Sequence, residues 1–470
     1  MKMKKLGILL LCLVMIVSMT ACGKSKKNED DQKDVSTENV DNNDDVKDEG
    51  DTAQNDDDSK KEDDSKKEDD SKKEDDSKKE DDSKKEDDSK EDDTKEEEKV
   101  LEEVRPLKEV YAGRMDVGMC LNTSTIADKY KDQVVTHFTS VTCENEMKPD
   151  AILHEQKTKN GMGDDQTFVA ISFDRCQKIV DYCIANGLKM RFHTLVWHAQ
   201  TPEWFFHESY DNSKPLVDKD TMIARMKNYI FAVIEYLDTN YPGLVYTIDV
   251  VNEAFNGNAE YKIKETDNRW YDTIGVDYVY YAFLFAREAI DASVNMKDVT
   301  LVYNDYSMMY KDTTVPKGLK EMFGKYGKDP HDYIDALGMQ SHISTDTKIK
   351  SFLFAARRFL EAGYEVQITE LDLAIPNISV GKYPDEKELD LQGKKYRYLM
   401  DGVMALQDEG YIISGVTLWG INDSNSWIAN NNLKDSHALL WDKQNKEKPA
   451  LRGMALCSDI PAWYKYGLEL

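Results

Sequence analysis

The chain has 470 residues, with 62 Lys and Arg against 90 Asp and Glu and a formal net charge of −28. Such acidity argues against nucleic acid as a partner, because binding a polyanion needs a basic patch to displace its counterions. Seven cysteines with no Cys-x-x-Cys pair are too few for a disulfide scaffold and lack the spacing of a structural zinc site.

Residues 1–21 read as a signal peptide. Lys2, Lys4 and Lys5 give a positive start, and the apolar run Leu6 to Val17 is short for a membrane span. The sequence Met19-Thr20-Ala21-Cys22-Gly23 resembles a bacterial lipoprotein cleavage box, in which Cys22 is lipidated and becomes the new N-terminus. An uncleaved signal anchor is the alternative, and either places the rest of the chain outside the cytoplasm, at the cell surface or secreted.

Residues 22–100 read as a disordered acidic linker. Within 23–100 lie 18 basic and 35 acidic residues, five apolar residues and no aromatic, so ordering entropy has nothing to offset it. Residues 59–88 are five copies of SKKEDD, a repeat with no apolar position and hence nothing to stack. The linker reaches ~260 Å fully extended.

Residues 101–470 read as one domain. Eight β-rich runs alternate with helical stretches: Met115–Cys120, His137–Thr142, Leu188–Val196, Val245–Asn252, Val299–Asn304, Ala336–Ser341, Val366–Leu371 and Ile412–Trp419. Helical periodicity marks Phe173–Asn186, Tyr278–Ala292 and Ser351–Ala362 between them. The pattern predicts an α/β fold, a (β/α)8 TIM barrel. A doubly wound sheet is the runner-up, but the glycine-rich phosphate loop it usually carries after its first strand is missing. Cys120, Cys143, Cys176, Cys183 and Cys457 read as buried thiols, with a disulfide left open.

Barrel chemistry sits where strands end, and unusual polar residues follow the predicted strand bodies. Strand 2 runs into Glu144, Asn145 and Lys148. Strand 3 carries His193 and leads to Trp197, His198 and Gln200; strand 4 leads to Asn252 and Glu253. Strand 5 ends Asn304-Asp305-Tyr306 and strand 6 ends Gln340-Ser341-His342. Strand 7 holds Glu370 and Asp372, and Trp419 and Trp427 follow strand 8. Glu253 and Glu370 form the kind of pair that glycoside hydrolysis needs, one carboxyl giving a proton to the leaving oxygen and the other attacking the sugar carbon. Trp197, Trp204, Trp419 and Trp427 offer indole faces to sugar rings, while Asn, Gln, His and Lys bond hydroxyls; Trp204 also suits the core. His193, His198, Glu144 and Asp249 are the conceivable metal ligands, but the histidines stand five apart among apolar and aromatic neighbours. Neither a metal nor a cofactor is expected.

These segments carry a resemblance. FTSVTCENEMKP (138–149), RFHTLVWHAQTPEW (191–204), DVVNEAF (249–255), NDYS (304–307), GMQSH (338–342), ITELD (368–372) and GVTLWGINDSNSW (415–427), closed by LLWD (439–442) and KPA (448–450), are similar in order to the motifs of glycoside hydrolase family 10, the endo-1,4-β-xylanases. The resemblance covers about Arg114 to Leu470. It implies retention of configuration on xylan, with Glu253 as acid/base and Glu370 as nucleophile. It also implies that His342 holds the nucleophile, Asp372 orients His342, and Gln340 lies near the acid/base. Glu144, Asn145, Lys148, His193, Trp197, Gln200, Asn252, Trp419 and Trp427 match residues that bind xylose units on the non-reducing side of the cut; Tyr306 is a further candidate for substrate binding. The family usually has Gly at Phe192 and Asn at Ser307.

Expected partners are thus xylan and xylo-oligosaccharides, plus the membrane through a lipid anchor, with no protein partner implied. A related barrel enzyme cutting another β-linked polymer is one competing reading. A surface lectin that keeps the cleft without the chemistry is another, disfavoured by the intact carboxylate pair.

Overall fold

The computed structural model describes residues 101–256, 262–379, 381–430 and 436–462, without the side chains of 429 and 430. The signal segment, Cys22 and the acidic linker lie outside these residues. Nine strand segments pair in parallel: β1 Asp116–Leu121, β2 Ser140–Cys143, β3 Lys189–Trp197, β4 Val245–Asn252, β5 Thr300–Asp305, β6 Ala336–Met339, β7 His342–Ser344, β8 Glu365–Ala374 and β9 Ile413–Leu418. β6 and β7 each pair with β8, and β9 pairs with β1. They are two pieces of one barrel position, so the sheet closes as an eight-stranded parallel barrel.

A helix follows each barrel position: Asp128–His137, Gln177–Asn186, Lys219–Asn240, Tyr278–Ala292, Thr314–Gly324, Ile349–Glu361, Glu386–Asp408 and Pro449–Met454. The result is a (β/α)8 barrel. Its strands are covered on both faces, which is why β8 is buried at all but its two ends although Gln367, Thr369, Glu370 and Asp372 interrupt its apolar residues. Local signals end the helices as the sequence suggests. Gly187 takes φ +65° after Gln177–Asn186, and the Leu188 N–H returns to the Cys183 carbonyl at 2.9 Å. Asp218 caps Lys219–Asn240 by accepting from the Thr221 N–H at 3.0 Å.

Most boundaries shift by one to three residues from the sequence reading, and three of the differences have a visible cause. His137 does not open strand 2; it ends the helix Asp128–His137, where Nδ1 accepts from the Leu107 N–H and the ring meets Trp441 edge-on. The helix starting at Phe173 begins at Gln177 instead, after a turn. The sixth strand is broken, because Ser341 adopts φ +65° between β6 and β7. Cys120, Cys143, Cys176, Cys183 and Cys457 are buried free thiols. Among the described residues no helix is long and apolar enough to cross a membrane.

Candidate active site

In the closed barrel β5 and β6 stand between β4 and β8, so the side chains that end those two strands bridge Glu253 to Glu370. Asn304, at the end of β5, donates from Nδ2 to Asn252 Oδ1 at 3.0 Å and to Glu370 Oε1 at 2.8 Å. Its own oxygen accepts from the Thr369 hydroxyl at 2.6 Å. Gln340, at the break after β6, donates to Glu253 Oε1 at 2.8 Å and to Asn252 Oδ1 at 3.4 Å. Space for the Asn304 amide comes from Gly338, where a Cβ would lie 2.4 Å from Asn304 Oδ1.

Glu253 is buried, follows β4 directly and sits at φ +57°. Its carboxyl meets only neutral donors: Gln340, the Trp197 indole N–H at 3.2 Å and Asn252 Nδ2 at 3.3 Å. Burial, the largest influence, pushes its pKa up; the Gln340 hydrogen bond and the Lys264 charge oppose this, while the charges of Asp305 and Glu370 add to it. The balance shifts this carboxyl toward the protonated form.

Glu370 is also buried, and burial alone would raise it too. The hydrogen bond from His342 Nε2 to Oε2 at 3.3 Å and the charges of His193, His342 and Lys148 outweigh burial, so the pKa falls from 4.5 to about 2. His342 in turn loses charge preference through burial but gains more from Asp372, whose Oδ2 pairs with Nδ1 at 2.8 Å, and from Glu370; its pKa rises to about 10. The imidazole is therefore a cation at neutral pH, donating to a carboxylate on each side. Trp427 Nε1 donates to the same Asp372 oxygen at 2.9 Å.

The remaining candidates form a wall beside this pair. Asn145 Oδ1 accepts from Lys148 Nζ at 3.1 Å and from Gln200 Nε2 at 3.4 Å. Lys148 Nζ also lies over the Trp197 ring, 5.0 Å from its centre. Glu144 accepts from Asn122 Nδ2 at 2.7 Å. His193 pairs through Nδ1 with Asp249 at 2.9 Å and meets the Trp419 ring edge-on at 5.4 Å. Tyr306 lies under Lys311 Nζ, 4.1 Å from its ring centre. Trp204 packs on Phe205 and Tyr210 in the core.

Of the conceivable metal ligands, His193 is committed to Asp249, while His198 Nε2 accepts from Lys264 Nζ at 2.6 Å. Among the described residues no three His, Cys, Asp or Glu side chains are arranged to hold a metal ion. Ser307 takes φ +54°, a conformation in which Asn, the family's usual residue, is far commoner. Asn304, quoted from the sequence without a role, links the two halves of the site, and Asp249, weighed there only as a metal ligand, holds His193 while also pairing with the buried Arg191. The strand-end placement of Asn304 was a signal for interest, though not for partner, while Asp249 lies inside β4.

A (β/α)8 barrel with two buried carboxyls whose pKa values are pushed in opposite directions at its C-terminal mouth defines the class of the site. Residues 106–456 match Glycosyl hydrolase family 10, and the chain belongs to that family. Endo-1,4-beta-xylanase B of Butyrivibrio fibrisolvens is 32% identical over 318 residues, covering 67% of this chain and 47% of that protein. Exoglucanase XynX of Acetivibrio thermocellus is 31% identical over 350 residues, covering 74% of this chain and 29% of that one. The chain thus spans about half or less of these relatives. Among solved structures, the CBM22-1–GH10 modules of Clostridium thermocellum endo-1,4-beta-D-xylanase 10B, complexed with xylohexaose, are similar at 30% identity. They give a TM-score of 0.65, covering 76% of this chain and 68% of that one. A GH10 structure from Paenibacillus barcinonensis gives 29% identity and a TM-score of 0.65, covering 77% and 99%.

Proposed function

We propose that the barrel is a retaining endo-1,4-β-xylanase, with Glu370 as nucleophile and Glu253 as acid/base. The observation that carries this reading is the opposite bias of two buried carboxyls joined by Asn304 and Asn252: Glu370 is held ionised near pKa 2 and Glu253 is pushed upward. Retaining enzymes need that division at a separation of ~5–5.5 Å.

Glu370 attacks the anomeric carbon as Glu253 passes its proton to the departing glycosidic oxygen. A covalent glycosyl-enzyme results, and Glu253 is left ionised. Glu253 then takes a proton from water, whose oxygen displaces Glu370 and restores the starting configuration. His342, charged and fixed by Asp372, keeps Glu370 ionised and aimed. Asn145, Lys148 and Gln200 present polar atoms for sugar hydroxyls beside Glu144 and His193; Trp197, Trp419 and Trp427 supply ring surface.

Incubation with xylan and with carboxymethyl-cellulose, reading reducing ends, tests the substrate; the exoglucanase among the relatives makes cellulose the control. Xylan should be cut at internal bonds, and early products should be β-anomers by NMR. Cleavage confined to cellulose, or α-anomeric first products, would overturn the reading.

The signal sequence and its box support a location on the outer face of the membrane, held through lipidated Cys22 with the acidic linker as spacer. Cys22→Ala should then release the enzyme from the membrane fraction or block its maturation.

A further inference from the structure

The turn after Glu253 is held by buried groups that the proposed chemistry does not use. At φ +57° Glu253 occupies a conformation that costs a residue with a Cβ, and such strain persists only where surroundings over-determine it. The Glu253 N–H donates to the Asn304 carbonyl at 2.9 Å. The next two amides, of Ala254 and Phe255, both donate to the Tyr303 hydroxyl, at 3.2 and 3.1 Å. That hydroxyl spends its own proton on Asp305 Oδ2. The other Asp305 oxygen accepts from Lys311 Nζ at 2.7 Å and from the Tyr306 N–H at 2.8 Å. Lys311 closes the circuit by donating to the Phe255 carbonyl at 3.0 Å.

Tyr303, Asp305 and Lys311 are all fully buried. A buried ion pair is weak grounds for stability, since an apolar replacement of similar volume is often neutral or better. What this pair does achieve is geometric. Lys311 holds the Phe255 carbonyl, and Tyr303, oriented by Asp305, holds the amides of Ala254 and Phe255, so the backbone just after the left-handed Glu253 is pinned. Asp305 also adds negative charge near Glu253, which favours the protonated acid.

We propose that Tyr303 and Lys311, joined through Asp305, are positioning residues for Glu253, locking the turn behind it so that its proton is aimed at the leaving oxygen. This rests on Glu253 being the acid. Neither residue touches the substrate, so their effect should scale with how much the leaving group needs a proton.

The experiment uses the full chain, with Tyr303→Phe and Lys311→Met compared on phenyl and dinitrophenyl β-xylobiosides, and Glu253→Gln as control. Tyr303→Phe removes one oxygen without changing the ring, so it keeps the test informative should Lys311→Met fold poorly. Both variants should lose about ten- to a hundredfold in kcat/KM on the phenyl substrate. On the dinitrophenyl substrate, whose phenolate departs unaided, they should stay within about twofold. Equal losses on both substrates, or no loss in a folded Tyr303→Phe, would overturn the clamp. If Glu253→Gln itself fails to separate the two substrates, the acid assignment falls, and the clamp with it. A discriminating Glu253→Gln beside non-discriminating clamp variants removes the clamp alone.

Discussion

Glu253 and Glu370 are the same residue type, both buried, at the same barrel mouth, yet their neighbourhoods differ in charge. Around Glu253 the hydrogen-bond donors are an indole and two amides, all neutral, and Asp305 adds a like charge. Around Glu370 stand a charged imidazole, a second histidine and Lys148. Burial pushes both carboxyls toward the neutral form; at Glu253 the Lys264 charge does not reverse it, whereas at Glu370 the cations do. The lesson is that desolvation supplies the acid by default, and the fold's charged groups are concentrated on making the nucleophile.

Removing the nucleophile breaks the comparison most completely. Glu370→Gln should abolish cleavage of every substrate, activated or not, because no covalent intermediate can form. Detectable turnover of dinitrophenyl xylobioside by this variant would contradict the assignment.

Next comes Glu253→Gln, which should be selective. Xylan, with its poor alkoxide leaving group, should lose roughly 10²- to 10⁴-fold. The first step on an activated aryl xylobioside should survive, and the glycosyl-enzyme should then accumulate. Azide needs no base, so it should restore turnover and yield the β-azide. Recovery of the α-azide would mean a single inversion.

Gly338→Ala disturbs the link between the halves. The new methyl would press on Asn304 Oδ1, which lies 2.4 Å from the Cβ position, and overpacking of this kind costs typically 1–3 kcal/mol. Lower melting together with reduced kcat is expected. Unchanged values in both calorimetry and kinetics would show that Asn304 has room to move.

The mildest change sharpens the comparison by pH. Glu370 works only when ionised, so the acid limb of kcat/KM follows its pKa, and the alkaline limb follows loss of the Glu253 proton. His342→Asn removes the main force opposing burial, so the Glu370 pKa should rise from about 2 toward or beyond 4.5. The acid limb should move to higher pH. Stability follows the same sign: ionised Glu370 stabilises the fold above about 4.5, and this is lost as pH falls through about 2. An acid limb that stays in place would remove His342 from this role.

Much of the barrel was legible because its strands are apolar runs with polar ends, a pattern that parallel sheets covered on both faces impose. Tyr278–Ala292 matched its predicted span without change. His137 was misplaced because its environment is made by Leu107 and Trp441, which are remote in sequence. The break at Ser341 was hidden for a related reason: a serine carries no local preference for φ +65°. In the site, the residue types at the strand ends were readable, but their partners were not. Asn304 reaches a glutamate 66 residues later, and nothing near it in sequence names that glutamate.

The broken sixth strand has a consequence for heat. Gln340 and His342 flank Ser341, and they serve opposite carboxyls: Gln340 binds Glu253 at 2.8 Å and His342 binds Glu370 at 3.3 Å. In a regular strand, residues two apart point the same way along one face; the left-handed residue between these two lets them diverge. Two residues of one short stretch, about 7 Å of chain, thereby supply a hydrogen-bond partner to each carboxyl. Warming that loosens surrounding helices leaves that length unchanged. Catalytic rate should decline as the barrel softens, while the anomeric purity of the product holds until the sheet itself opens.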